Sequence, residues 1–556
     1  MTERSKLRIG LLQDGPSANQ YMVDIIEWAG RQDDLEITHL IIHAAADQSA
    51  TGTWRRKLAQ HKLGAVRKAA FKAIRRLEAL FLRVYYGGRF RNHTRQYRVD
   101  TLIPHTLHIT PTISKSGFVY RFAEAEVAKV RATGCDVLLR GGSGILRGGI
   151  LDASRFGVLS FHHGDNRVNR GGPAAFWETY LKWPATGFVL QRLTAELDGG
   201  EVLVRGSYST KWFFLLNQAA LFTKANTHLK LLLKRVARER SLPPAEEPVP
   251  YSARLYRSPS VATCLAYVGK IAARSLQKGL QSALRLRYRW AVSFSFTDWR
   301  RAVLWRTLTP ALPAGRFLAD PFVWEHQGKT YCFVEDYSFR DRIGRISVME
   351  VNKTGATAPR TVLSEPFHLS FPFLFEYGGT TYMCPECSQS REIRLYRPLE
   401  FPHRWEFVTA IMSDVCAGDT MLFERNGRWW MLTNLDRTGQ GDFGSELYLF
   451  SADSPLSQSW TPHPSNPLKI DTVGGRNAGL LREGSRLFRA GQVQGFDRYG
   501  VGIQIYEICE LSAEKYRETL VSTIEPGFRL RQQGVHHISS TGTVTVVDSA
   551  RRELVP

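Results

Sequence analysis

The sequence predicts a multidomain protein of α/β plus all-β class: an open, mostly parallel sheet followed by a five-bladed β-propeller. Three observations carry this. Apolar strand-like runs alternate with helical periods over the first 240 residues, the pattern of a parallel sheet covered by helices. A Pro-rich stretch, Glu246 to Ser260, interrupts the chain after Pro243-Pro244. From Phe317 onward, short alternating strands rich in aromatics recur around glycine turns at a nearly constant interval. The domains are therefore drawn at 1–240, at 241–310 (linker and basic helix) and at 311–556.

Leu7 to Leu12 reads as the first parallel strand, Gln20 to Gly30 as a helix and Leu35 to His43 as the second strand. Phe122 to Thr133 is the next helix, and Asp136 to Arg140 a strand ending in the loop Gly141-Gly142-Ser143-Gly144. The apolar run Phe156 to Phe161 reads as a buried strand end, followed by His162-His163, then Arg170-Gly171-Gly172-Pro173. Ala174 to Leu181 is helical, Thr186 to Leu193 a strand, and Leu197-Asp198-Gly199-Gly200 a turn. Ligands of such sheets bind beyond the carboxyl ends of the strands, where His162 falls. A histidine within reach of an aspartate forms a general-base pair, the carboxylate fixing the imidazole tautomer.

Between Trp54 and Arg98 the chain carries fourteen Lys or Arg against one acid, Glu78. This segment is an insertion into the sheet pattern. Val66, Ala70, Ile74, Leu77, Phe81 and Val84 form one stripe at helical spacing, with Lys68, Lys72, Arg75, Arg76 and Arg83 mainly off it. A solvated basic helix packed on its own domain and an interfacial helix on anionic lipid both fit. Lys211 to Arg240 is a long helix, and Val261 to Tyr288 a second basic amphipathic one.

The net charge is +22, which suits an anionic membrane surface or a phosphorylated substrate, with nucleic acid the least favoured partner. No apolar run reaches membrane-span length and the N-terminus lacks a signal-peptide pattern. The odd, scattered set of seven cysteines suits reduced thiols. The expected location is the cytoplasm, with or without attachment to the inner membrane face. Cys384-Pro-Glu-Cys387 has ligand spacing but no second pair, so no metal site is expected.

In the second half the turns Gly328-Lys-Thr-Tyr331, Gly379-Thr-Thr-Tyr382, Gly427-Arg-Trp-Trp430, Gly484-Ser-Arg-Leu487 and Gly542-Thr-Val-Thr545 are 51, 48, 57 and 58 residues apart. Five such repeats of three or four strands make a propeller. Asp320 and Asp419 precede their glycines by eight residues, and Glu335 and Glu386 follow theirs by seven. Equivalent positions on inner strands face the central channel, so these four carboxylates are expected to meet there with Arg476, Asn477, His536 and His537 from later blades. A carboxylate cluster either binds sugar or supplies the acid and base of glycoside chemistry.

Two resemblances follow from these motifs. Roughly Lys6 to Arg240 resembles the formyltransferase-fold enzymes that use 10-formyltetrahydrofolate, a Rossmann-like fold. Their signature histidine falls on His162, their Arg-Gly on Arg170-Gly171 and their aspartate on Asp198, while Ser160 stands where the family has asparagine. The resemblance implies His162 as proton acceptor, Asp198 as its orienter and an oxyanion donor near Ser160, with Asn166, Asn169 or His163 in that role if the serine is too short. It also implies that Gly141, Gly142, Ser143, Gly144, Arg170 and Gly171 form the folate pocket. The propeller resembles the five-bladed glycoside hydrolases of the arabinanase and invertase superfamily. It is closer to the propeller-like region preceding the transferase domain of plant glucosamine inositolphosphorylceramide transferases, through Ala319-Asp320-Pro321, Phe367-His368-Leu369-Ser370-Phe371-Pro372 and Gly418-Asp419-Thr420.

Together these imply a folate-dependent N-formyltransferase acting on a nucleotide- or lipid-linked amino sugar, with the propeller holding the glycan. Two alternatives stand beside it. One is a propeller-catalysed glycosidase or glycosyltransferase on a degenerate formyltransferase scaffold. The other is a non-catalytic glycan-binding protein at the membrane surface.

Overall fold

The computed structural model describes residues 5–43, 54–87, 90–115, 117–196, 199–439 and 441–555. The chain divides into two compact units, 1–206 with 210–272 and 207–209 with 273–556. The stretch 241–310 is thus shared between them rather than forming a unit of its own.

The first unit is built on a seven-stranded sheet. Its strands run in the spatial order Glu201–Ser209, Ala185–Arg192, Val158–His162, Val137–Arg140, Leu7–Gln13, Leu35–His43, His105–Ile109. Leu7–Gln13 is parallel to both its neighbours, and Val158–His162 is parallel to Val137–Arg140 but antiparallel to Ala185–Arg192. The strands alternate: Leu7, Ile9, Leu11, Val137 and Leu139 join one core with the helices Gln20–Ala29 and Phe214–Glu239. Leu12, Ile41, Leu138 and Val158 join the opposite core with the helix Glu124–Ala132. A strand with both faces covered is apolar along most of its length, which is why these runs read as near-continuous.

The basic insertion is a helix, Trp54–Tyr86, but its inward face is not the expected stripe. Phe71, Ile74 and Leu82 pack with Phe176 and Phe213 to Leu215, whereas Val66, Leu77, Phe81 and Val84 are exposed. The deciding residue is the lone acid. Glu78 is buried and accepts hydrogen bonds from the Leu215 N–H and the Tyr267 hydroxyl, each at 2.7 Å. Leu215 lies in the first turn of the Phe214–Glu239 helix, where backbone donors lack helical partners. Burial pushes the Glu78 carboxyl up to about 7.

Among the described residues the second unit consists of five sheets. The first four begin with the inner strands Arg316–His326, Ser370–Tyr377, Ala417–Arg425 and Val473–Glu483, each followed by antiparallel strands. The fifth combines Ile538–Ser540 and Thr545–Leu554 with Leu286–Ser295, a strand from far upstream. Each inner strand packs against the next and the last against the first, closing a five-bladed ring. The strand Leu286–Ser295 completes the fifth blade and therefore lies before the expected domain start at 311. For the same reason the helix expected over Val261 to Tyr288 stops at Ala283. Gly328, Gly379, Gly427, Gly484 and Gly542 all have positive φ and sit between the first two strands of their blades. There a tight turn demands the left-handed region that glycine adopts freely.

Candidate functional site

The propeller channel gets its polar lining from a repeated backbone irregularity. In the first three blades the register shifts on the inner strand, between Ala319 and Phe322, Ser370 and Phe373, and Gly418 and Met421. At each shift one residue takes a left-handed conformation: Asp320 (φ 47), Phe371 (φ 46) and Asp419 (φ 44). Bulges of this kind re-aim a side chain. The partner strand contributes the second position: Glu335 pairs with Ala319, Glu386 with Ser370 and Asn434 with Gly418. Glu, Glu and Asn thus occupy one register position in successive blades.

These residues form two linked clusters. In one, Asp320 Oδ1 lies 3.2 Å from His536 Nε2, and Asp548 Oδ2 lies 2.8 Å from His536 Nδ1. Asp548 also accepts the backbone N–H groups of His536, His537 and Asp320. All three side chains are buried, and their ligand atoms fall within 4.8 Å of one another, a spacing that could hold a metal ion. Both ring nitrogens of His536 face carboxylates, however, which suits an imidazolium held between two anions. Burial opposes that charge, but Asp548 and Asp320 together raise His536 to about 10. In return, although burial works against it, His536 holds Asp320 down at about 2. His537 stays neutral, lowered by burial to about 4, with its ring against Phe322.

In the other cluster Arg476 donates through two nitrogens to Asp419 and reaches Glu386 at 3.1 Å. Gln492 and Asn477 donate to the Asp419 carboxylate and carbonyl, respectively. Burial drives the Asp419 carboxyl upward and Arg476 pulls it back. A two-pronged bond from a guanidinium is accepted by a carboxylate, so we treat Asp419 as ionised. Tyr499 lies under the same guanidinium, 5.2 Å from Cζ to ring centroid.

Glu335 has no arginine partner; it faces His368, whose pKa rises because burial is outweighed by Glu335, Glu386 and Asp320. His368 Nδ1 accepts the Gly344 N–H at 2.9 Å, so Nε2 carries the proton and faces Glu335 Oε1 at 3.3 Å. Burial, reinforced by the charge of Asp320 and opposed by His368, raises the Glu335 carboxyl. The surroundings thus raise the proton affinity of Glu335 and lower that of Asp320.

All eight propeller residues expected in the channel from the sequence, Asn477 included, thus lie in the two clusters or against them. His368, Asp548, Gln492 and Tyr499 also line the site. Asp548 and Tyr499 lie outside the repeating positions, and His368 belongs to a motif whose only signal in the sequence is a family resemblance.

The α/β unit brings less together. Ser160 and His162 share one face of their strand, as alternation requires. The Ser160 hydroxyl donates to the Phe161 carbonyl at 3.2 Å, and His162 Nε2 lies 3.3 Å from the Asn169 carbonyl oxygen. Asp198 lies outside the described residues. Of the substitute donors, Asn169 donates to Glu178, Asn166 accepts from Arg205, and the His163 ring stacks on Phe161. The loop Gly141–Gly144 is occupied from within. Ser143 donates both its N–H and its hydroxyl to Asp14, and Arg140 donates to the Ser143 and Gly144 carbonyls. A Cβ at Gly141 or Gly142 would meet Gln13 or Asp14. Arg170 and Gly171 pair with Leu255 and Tyr256 in a two-stranded ribbon.

Known proteins are similar to parts of the chain. An α-L-arabinofuranosidase from Lactobacillus brevis covers 44% of this chain and 87% of its own at 16% identity and TM-score 0.33. Glycinamide ribonucleotide transformylase 1 from Symbiobacterium toebii covers 42% and 89% at 16% identity and TM-score 0.27. Among sequences, glucosamine inositolphosphorylceramide transferase 1 of Arabidopsis thaliana is 36% identical over 212 residues, 37% of this chain and 27% of its own. The namesake from Oryza sativa subsp. japonica is 33% identical over 252 residues, 42% and 33%. The chain thus spans about a third of the length of these relatives. Residues 306–541 match the family described as "Glucosamine inositolphosphorylceramide transferase 1, N-terminal", and through this propeller the chain is similar to those transferases.

Proposed function

We propose that the propeller channel holds the sugar of a glycoconjugate and that the protein is a transferase of glycolipid synthesis. One observation carries the reading: Glu335 and Asp320 are electrostatic neighbours whose surroundings push their pKa values in opposite directions. Such a divided pair assigns an acid and a base. Glu335 would protonate a departing sugar oxygen, and Asp320 would accept a proton or stabilise positive charge on the ring. Arg476 fixes the two remaining carboxylates as hydrogen-bond acceptors for hydroxyls. The names of the relatives support the glycolipid context.

The test is calorimetric titration of the full chain with a panel of oligosaccharides and glycolipid headgroups, followed by transfer and hydrolysis assays on those that bind. Glu335→Gln and Asp320→Asn should each lower turnover by about 10²–10⁴-fold. Unchanged turnover in both, at unchanged melting temperature, overturns the assignment.

Formyl transfer to an amino sugar is the second reading, favoured by the position of His162 at the carboxyl end of a strand parallel to its neighbour. The glycine loop does not fit a folate in this arrangement, because Asp14 and Gln13 occupy it from the protein side. Measurable folate binding, with transfer abolished in His162→Ala, would revive this reading. No folate binding in wild type or Ser160→Asn removes it.

A further inference from the structure

Outside the channel, the propeller unit has a cavity of about 750 Å³ lined by Arg285, Arg287, Arg340, Arg342, Tyr337 and Phe339. The four arginines come from the start of the closing strand and from the first blade's Ser338–Ile343 turn. Neighbouring acids are committed elsewhere. Asp336 pairs with Arg316, Asp341 with Arg345, and Glu553 with Arg289 and Arg551. Among the described residues the four cavity guanidinia make no side-chain ion pair or hydrogen bond. Like charges gathered in one concavity repel unless an anion joins them, and the guanidinium fork matches phosphate oxygens.

Tyr337 ties the cavity to the channel. Its ring stacks on Phe317 at 4.7 Å, lines the cavity and lies 6.0 Å from the His368 ring, which in turn faces Glu335. Glu335 and Tyr337 are two residues apart on one strand and share a face. A phosphate among the arginines is thus one side chain away from the acid.

We infer that the arginine-lined cavity is a phosphate-ester subsite, binding the phosphate of the molecule whose sugar enters the channel. That last clause rests on the proposed function; the subsite itself does not. The ester could come from a soluble sugar phosphate or a lipid headgroup. Leu276, Leu280 and Leu284, exposed at four-residue steps immediately before Arg285, present an apolar strip beside the arginines, as a lipid surface requires.

The test uses the full chain and two probes: soluble inositol phosphate by calorimetry, and phosphatidylcholine vesicles with or without phosphatidylinositol by flotation. Arg287→Glu/Arg342→Glu should weaken binding by about tenfold or more, since each charge-assisted contact contributes about 1.5–3 kcal/mol. The control Arg404→Glu/Arg498→Glu, equal in charge change on other blades, should bind as wild type does. If the first variant does not fold, Arg287→Gln/Arg342→Gln replaces it. Glu335→Gln should keep phosphate binding, so that loss of the channel's chemistry and loss of the subsite read out separately. Preference for inositol phosphate assigns the soluble source, and preference for phosphatidylinositol vesicles the lipid source. Absence of binding to either probe at low salt, or equal weakening in cavity and control variants, overturns the subsite.

Discussion

At the scale of residues, His536 governs the channel through charge. Its folded pKa of about 10 lies above the ordinary value of 6.5. Its contribution to stability is therefore complete below about pH 6.5 and is lost as pH rises through about 10. Removing one member of a buried ion pair costs about 3–5 kcal/mol. His536→Gln should lose that much in urea unfolding near pH 6, and the deficit should shrink at pH 10.5. A deficit that stays constant across that range would mean the ring acts by packing alone. Asp320 behaves in the opposite sense: with a folded value of about 2 against 3.8, its contribution is present above about pH 3.8 and is lost as pH falls through about 2. Arg476 invites a double-mutant cycle. Arg476→Met and Asp419→Asn should each destabilise, and together should cost less than their sum, with a coupling of about 0.5–3 kcal/mol. Strict additivity would show that the fork contributes nothing beyond its parts.

At the scale of elements, the strand Leu286–Ser295 decides where the propeller begins. It pairs along its whole length with Thr545–Leu554, joining an early strand to the last one, and without it the fifth sheet keeps an exposed edge. A fragment 273–556 is expected to be monomeric, with one cooperative thermal transition. A fragment 311–556, which lacks that strand, should aggregate or melt without cooperativity, because an unpaired edge is a template for other chains. Equal melting of the two fragments would show that closure is not needed. The first-blade strand Ile343–Asn352 offers a gentler probe. A Cβ at Gly344 would come within 2.6 Å of the Leu369 carbonyl oxygen and 2.7 Å of His368 Cε1. Gly344→Ala should displace His368 from Glu335 and lower sugar binding more than it lowers stability. Retained binding would show that His368 is dispensable.

At the scale of the whole molecule, the charge of +22 is joined to exposed apolar side chains on two helices. Leu77, Leu80, Phe81, Val84 and Tyr85 are exposed on Trp54–Tyr86, as are Leu265, Val268, Leu276 and Leu280 on Val261–Ala283. No helix among the described residues is long and apolar enough to cross a membrane, so contact with lipid through these helices would be at the surface. The full chain should float with anionic vesicles and dissociate as salt rises, since exposed charges are screened over about 8 Å at physiological ionic strength. Flotation that ignores both salt and lipid charge would leave the basic helices as solvated surfaces.

The repeat of glycine turns, the carboxylates at fixed distance from them and the alternation of apolar strands are local or periodic signals. Sequence alone determined the blade number, the order of sheet and propeller, and the meeting of Asp320, Glu335, Glu386 and Asp419 in one channel. Tertiary structure decided what no period encodes. Periodicity marks one apolar stripe on Trp54–Tyr86, and only the buried Glu78, bonded to Leu215 and Tyr267, shows that a different face turns inward. Closure by Leu286–Ser295 depends on a pairing across some 260 residues, and that strand sits outside the spacing of the repeats. The protonation of the channel depends on Asp548, His368 and Arg476 converging from different blades, because electrostatic coupling is set by distance in space and desolvation, neither of which a linear sequence contains.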